Sequence, residues 1–281
     1  MNKHSRQYAI SFTIISALYA LVPEALFAAV TEVIPKESKH LPLFIIKNRE
    51  GINALISRLL LAAVVLGVVF LTFYLFQIFR NHVTISGTNY CISVEYGDIL
   101  KTVNCRRIIA FDECFTTEIG NKPYQIKASS LCGQYLIQHP NLNIEELIRN
   151  QKIKPAQSKS RYNKTTRYES GTLISNGDDL LLSFVKLDEN GRGYFTREEY
   201  IDCLSLLWKE IEIYCGDTDV CIPILGSGLT RFESASGASY SQRELLEIII
   251  NSYKLSSHKI KKPHKLRIIC RKTADFSLKD L

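Results

Sequence analysis

The sequence predicts an α/β domain, a mixed sheet flanked by helices, preceded by a two-helix transmembrane hairpin. Three observations carry that expectation. Two long apolar stretches lie before residue 80. Beyond residue 82, short apolar runs of strand character alternate with stretches of helical periodicity. Finally, Cys221–Arg231, CIPILGSGLTR, reads as a buried strand running into a tight glycine loop.

The first apolar stretch is Tyr8–Val30, interrupted by Pro23 and Glu24. At about 1.5 Å per helical residue it is long enough to cross a hydrocarbon core of roughly 30 Å. Lys3 and Arg6 ahead of it suit a signal peptide too, but Leu26-Phe27-Ala28 lacks the small-x-small cleavage pattern. The second stretch, Leu59–Phe79, carries no charge and is bounded by Arg58 and Arg80. Phe73, Tyr74, Phe76 and Phe79 crowd its end like an interfacial aromatic belt. The sequence thus divides into a membrane domain over 1–81, with spans at about 8–30 and 59–79, and a second domain over 82–281. The connector Thr31–Gly51, with Pro35 and Pro42, reads as a loop.

The formal charge of +7 suggests a basic protein until it is divided along the chain. Eight bases and four acids precede residue 82, which leaves the remainder nearly balanced. A nucleic-acid footprint is therefore not expected, and the basic run Lys254–Lys272 reads as a solvated or membrane-facing surface. All eight cysteines follow residue 90, with no CxxC pair and no zinc spacing. Free thiols in apolar runs suit a reducing compartment. Basic residues flank the spans on both sides, so charge does not orient them. The cysteines place the C-terminal domain in the cytoplasm, on a multi-pass protein of the inner membrane.

Val83–Ser86 and Tyr90–Glu95 alternate as two strands, the second ending at Gly97-Asp98-Ile99. Arg107–Phe111 is a buried strand leading into polar Asp112-Glu113 and a loop to Gly120. Ser130–Gln138 is helical, and Asn143 caps the next helix. Gln151–Thr166 is a polar, irregular connection. Leu180–Leu187 is a strand, followed by a turn at Asn190-Gly191. Arg192 stands where a calcium loop needs an oxygen ligand, so an EF-hand is rejected. Thr196 and Glu199 form a capping box for a helix reaching about Tyr214, with Leu204, Leu207, Trp208 and Ile211 inward. Ser241–Lys254 is the last helix and Leu266–Cys270 the last strand. The expected order is β-β-β-α-α-β-α-β-α-β.

The glycine loop holds the chemistry. Gly226 and Gly228 permit positive φ and close approach of a ligand. Ser227 and Thr230 offer hydroxyls, and Arg231 a guanidinium suited to phosphate. A strand ending in such a loop before a helix is a phosphate-binding arrangement in α/β proteins. A plain strand-to-helix turn fits the same residues.

The segments YGDIL, IIAFDECFTT, SLCGQ, REEYIDCLSLLW and IPILGSGLTRF, behind two apolar spans, resemble the macro domain of Thoeris anti-phage effectors. The resemblance spans most of residues 8–270. It implies a macro-like fold and a receptor rather than an enzyme. The implied ligand is a signalling nucleotide derived from ADP-ribose, made by a partner NADase with a Toll/interleukin-receptor-like domain. The implied output is membrane disruption and abortive infection by a homo-oligomer in the lipid bilayer, with no cofactor or metal. It assigns Asp98, with Ile99 beside it, to adenine. Phe115, Thr116 and Thr117 fall to the first phosphate-side loop, and Gly226, Ser227, Gly228, Leu229, Thr230 and Arg231 to the second. The asparagine-rich loop of ADP-ribosyl hydrolases is replaced by Asp112-Glu113-Cys114, which argues against hydrolysis. A membrane-anchored ADP-ribosyl hydrolase and an ADP-ribose-binding anchor are the alternatives.

Overall fold

The computed structural model describes residues 12–13, 16–17, 42, 47–78, 82–228, 230–233, 240–272 and 276–278. It divides into two units, Met1–Arg80 and Asn81–Leu281. In the first, helix α1 runs over Arg49–Ile78. Among the described residues, Glu50–Leu75 is the one stretch long and apolar enough to cross a membrane, with mean hydropathy 2.6. The helix starts earlier than the expected Leu59, taking in the end of the connector. The Asn48 carbonyl accepts from Ile52 N at 3.0 Å and so begins the helical ladder before the apolar run. Glu50 in the first turn favours that start, because a carboxylate there meets the positive end of the helix dipole. The expected first span, Tyr8–Val30, and with it the two-helix hairpin, falls almost wholly outside the described residues.

The second unit comprises β1 (His82–Ser86), β2 (Cys91–Tyr96), a 3-10 turn (Ile99–Lys101), β3 (Cys105–Asp112), α2 (Leu131–Gln138), α3 (Ile144–Asn150), β4 (Leu173–Asn176), β5 (Asp179–Leu187), β6 (Gly193–Thr196), α4 (Arg197–Tyr214), β7 (Asp219–Pro223), β8 (Arg231–Glu233), α5 (Gln242–Leu255) and β9 (Leu266–Cys270). The sheet order is β1-β2-β9-β7-β3-β5-β6-β8, with β4 paired to β5. β2, β9, β7, β3 and β5 are mutually parallel; β1 runs antiparallel to β2, β4 and β6 run antiparallel to β5, and β8 is parallel to β6. The expected order lacks β4, β6 and β8, which are three or four residues long and too short to show a period.

Strand alternation sorts the core into two layers. Ile108 of β3 and Leu180, Leu182 and Phe184 of β5 face the side covered by α4 and α5. Ile109, Phe111 and Leu181 face α2 and α3. Burial on both faces explains why these central strands are nearly continuous runs of apolar residues. Helix α4 buries Leu204, Leu207, Trp208 and Ile211, the expected stripe, behind the Thr196/Glu199 capping box. Trp208 Nε1 donates to Ser252 Oγ of α5 at 2.8 Å, so the indole N–H is satisfied where the two helices meet.

Candidate functional site

Five parallel strands end on one side of the sheet, and ligands in open α/β folds bind beyond such carboxyl ends. A cavity of about 720 Å³ lies there. Residues following β2 (Gly97, Asp98, Ile99), β7 (Ile224 to Gly228) and β9 (Arg271) line it, with Asp112 at the end of β3 and Val185 and Leu187 of β5. That volume is within the usual range for a small-molecule site.

One wall is the turn after β2. Asp98 caps the 3-10 turn, its carboxylate accepting from Leu100 N at 3.1 Å. The side chain is 42% exposed, with Lys101 Nζ at 3.9 Å. Arg107 fixes this turn to the sheet: Nη1 donates to Leu100 O at 2.9 Å while Nε and Nη2 grip both oxygens of Asp179, at 2.7 and 3.0 Å. Such a bidentate pair fixes direction as well as distance. Ile99 is buried beneath the turn and also lines the cavity.

The facing wall is the glycine loop. Gly226 has φ +83°, in the left-handed region, and a Cβ there would lie 3.0 Å from Phe232 Cζ. Gly228 needs no such freedom: its φ is not in that region, and nothing lies within 4 Å of where its Cβ would stand. From behind, buried Tyr200 of α4 donates its hydroxyl to Leu225 O at 2.9 Å. Ser227 N and Oγ both donate to Ile224 O, at 3.3 and 2.7 Å. The loop is thus held before any ligand arrives.

The structure brings Asp98, Ile99, Gly226, Ser227, Gly228 and Thr230 to the same cavity. Leu229 lies outside the described residues. Phe115, Thr116, Thr117 and Arg231 are not among the lining residues. Phe115 is 4% exposed and packs in the core against Phe111 and Tyr168, at ring separations of 5.9 and 5.5 Å. Its φ of +53° is imposed by a turn in which the Asp112 carboxylate accepts from Cys114 N at 2.8 Å and Thr116 N at 3.1 Å. Arg231 begins β8 and pairs with Asp188. The glycine loop therefore leads into a strand, not directly into the expected helix.

Four polar or charged lining residues that the sequence did not point to bear most on the chemistry. Arg271 and Lys127 are exposed cations at the rim, and Tyr124 and Asp112 are partly buried. Arg271 directly follows β9, so the rule that ligands sit beyond strand ends could have found it. Asp112 ends β3 likewise; burial pushes its carboxyl above the ordinary 3.8, against the two amides that favour the charge. Tyr124 is brought in by a loop that stacks it on Tyr162 at 5.8 Å, a contact no local pattern announces. Asp98 and Asp112 together with Arg271 and Lys127 line one cavity with both carboxyl groups and cations, which suits a ligand bearing both an amine and phosphate.

Comparison with known proteins bears on this arrangement. Residues 92–271 match the family described as Thoeris protein ThsA, Macro domain. The Thoeris protein ThsA of Bacillus amyloliquefaciens is 30% identical over 230 residues, covering 76% of this chain and 75% of its own length. Among solved structures, a mutant Oceanobacillus iheyensis macrodomain aligns with TM-score 0.43 at 11% identity, over 72% of this chain and 95% of that one. Another mutant of the same macrodomain, with ADPR, aligns with TM-score 0.43 at 10% identity, over 71% and 95%. The family match covers the whole cavity-bearing sheet from β2 to Arg271, and the curated relative is matched over most of both chains: the chain belongs to the Thoeris ThsA macro-domain family.

Proposed function

We propose that this protein is a membrane-borne receptor of anti-phage defence, and that its cavity binds a nucleotide derived from ADP-ribose. The carrying observation is the convergence of Asp98 and the Gly226–Gly228 loop on one cavity at the carboxyl end of the sheet. The Asp98 oxygen not held by Leu100 N accepts from the adenine amino group. Backbone N–H groups of the glycine loop meet the diphosphate, and Arg271 and Lys127 balance its charge. No hydrolytic step is assigned to the site. The signal comes from a partner NADase, and the output is loss of the membrane barrier by an oligomer whose spans include both N-terminal apolar stretches.

The register of β1 supports coupling between the two events. His82 pairs with Glu95, three positions before Asp98 on β2. The chain therefore enters the sheet at its cavity end, only a few residues after the apolar run ends at Phe79. By length alone this connection offers less slack than a long flexible linker, and the reading is that ligand binding is passed through it. The ligand drives the output only to the extent that it prefers the active arrangement.

The test is isothermal titration of the full chain in nanodiscs with ADP-ribose and derivatives modified at the distal end. The reading expects saturable binding that a derivative lacking the adenine amino group loses. Absence of binding by every ADP-ribose derivative to folded protein would remove it.

A further inference from the structure

All eight cysteines are free, and two of them touch. Cys105, the first residue of β3, lies with its sulfur 2.6 Å from that of Cys221 in β7. Both strands serve the cavity. The turn bearing Asp98 sits immediately before Cys105, and the glycine loop follows β7. The thiols belong to an apolar cluster with Ile99 and Ile269, which also line the cavity wall. In register, Cys221 is flanked by Arg107 of β3 and Arg267 of β9, so a guanidinium stands on each neighbouring strand. The Cys221 thiol, aided by Thr102 and these two cations, holds the Cys105 thiol below its ordinary range despite burial. The Cys221 thiol is driven the other way, chiefly by its bond to Cys105. Two touching sulfurs between two guanidinium groups favour one shared negative charge, as an attacking and a resolving sulfur require.

We propose that Cys105 and Cys221 form a peroxide-responsive dithiol whose oxidation to a disulfide loosens the ligand-binding turn. The Cys105 thiolate attacks one oxygen of hydrogen peroxide; the O–O bond breaks, and the departing hydroxide takes a proton to become water. The sulfur of Cys221 then attacks the resulting sulfenic acid. The S–O bond breaks, and hydroxide leaves with the Cys221 proton as a second water. Two thiols are oxidised to one disulfide while one peroxide is reduced to two waters. The consequence follows from Thr102. Its N and Oγ1 both donate to Ile99 O, at 3.2 and 2.7 Å, closing the 3-10 turn. Cys105 Sγ in turn lies 3.4 Å from Thr102 Oγ1. A disulfide discharges that sulfur and draws the start of β3 toward β7, away from Thr102, so the closure of the turn weakens.

The experiment treats the full chain in nanodiscs with hydrogen peroxide, or with dithiothreitol as control. Intact mass should fall by two hydrogens, peptide mapping should link Cys105 to Cys221, and either Cys105→Ser or Cys221→Ser should abolish the link. Amide exchange at Lys101 and Thr102 should quicken by about tenfold in the oxidised protein. A cysteine set left unlinked by peroxide, a peroxide-induced link between other cysteines in place of this one, or a link that leaves those amides unchanged overturns the proposal. Affinity for ADP-ribose should fall several-fold on oxidation; this arm alone rests on the nucleotide reading. If the reduced protein fails to bind ADP-ribose, that reading fails, while the mass and exchange results still judge the switch.

Discussion

Asp98 offers a perturbation in which stability and binding separate. Its carboxylate has two tasks: one oxygen accepts from Leu100 N, and the other is open to the cavity with Lys101 at 3.9 Å. The Lys101 contact is solvent-screened at this exposure and contributes little. Asp98→Ala removes both tasks. Loss of the turn cap should cost about 1 kcal/mol of stability. Loss of a charged acceptor for the adenine amine should cost roughly 1.5–3 kcal/mol of binding, or about 10- to 150-fold in Kd. Asp98→Asn divides the two effects. Asparagine has one acceptor oxygen for two donors; used for Leu100 N, it keeps the turn and presents N–H groups to the ligand amine. Stability should then stay within about 0.5 kcal/mol of the parent while binding falls as in the alanine variant. Urea denaturation gives the first quantity and calorimetric titration with ADP-ribose the second. Parental affinity in Asp98→Asn would refute the adenine assignment.

Gly226→Ala places a Cβ at φ +83° and 3.0 Å from the Phe232 ring. Denaturation should show a loss of about 1–2 kcal/mol, the cost of a left-handed non-glycine residue; no loss would mean that the loop relaxes freely. Asp112, raised above 3.8 by burial, should make the native state less stable as pH rises, because the unfolded chain ionises first. Asp112→Asn keeps an acceptor for Cys114 N and Thr116 N, so it should match the parent near pH 3.8 and exceed it at neutral pH. Lower stability at neutral pH would contradict that account. In cells with the signal-producing partner, a voltage-sensitive dye should report depolarisation. Gly228→Glu should abolish it by placing a carboxylate in the phosphate loop, and a long Gly/Ser insertion after Asn81 should blunt it. If the insertion variant depolarises like the parent, this junction does not carry the signal.

What could be read from the sequence was whatever a local pattern encodes. The capping box at Thr196 and Glu199 and the inward stripe of α4 follow from spacing alone. So do the turn at Asn190-Gly191, with Gly191 at φ +75°, and the Gly226 turn. The remainder depends on long-range placement. β8 is defined by pairing with β6, a partner far away in sequence, and that pairing takes Arg231 to Asp188. Phe115 stands in a polar loop by sequence; only the packing of Phe111 and Tyr168 around it makes it core. Glu113 likewise reads as a surface acid. In the fold it is buried, accepting from Ser160 Oγ at 2.6 Å and Leu187 N at 3.1 Å, and so ties the irregular 151–170 segment to β5. Arg271 and Lys127 become neighbours of the glycine loop only when β9 and the 117–127 loop reach the same end of the sheet.

The central claim is where the nucleotide sits, and a crystal structure with ADP-ribose bound tests it most directly. The account predicts the adenine amino group within hydrogen-bond distance of Asp98 and the diphosphate against the backbone of Ser227 and Gly228. A ligand seated instead in the polar cavity of about 520 Å³ between His139 and Asn176, with the Asp98 cavity left open, would contradict it.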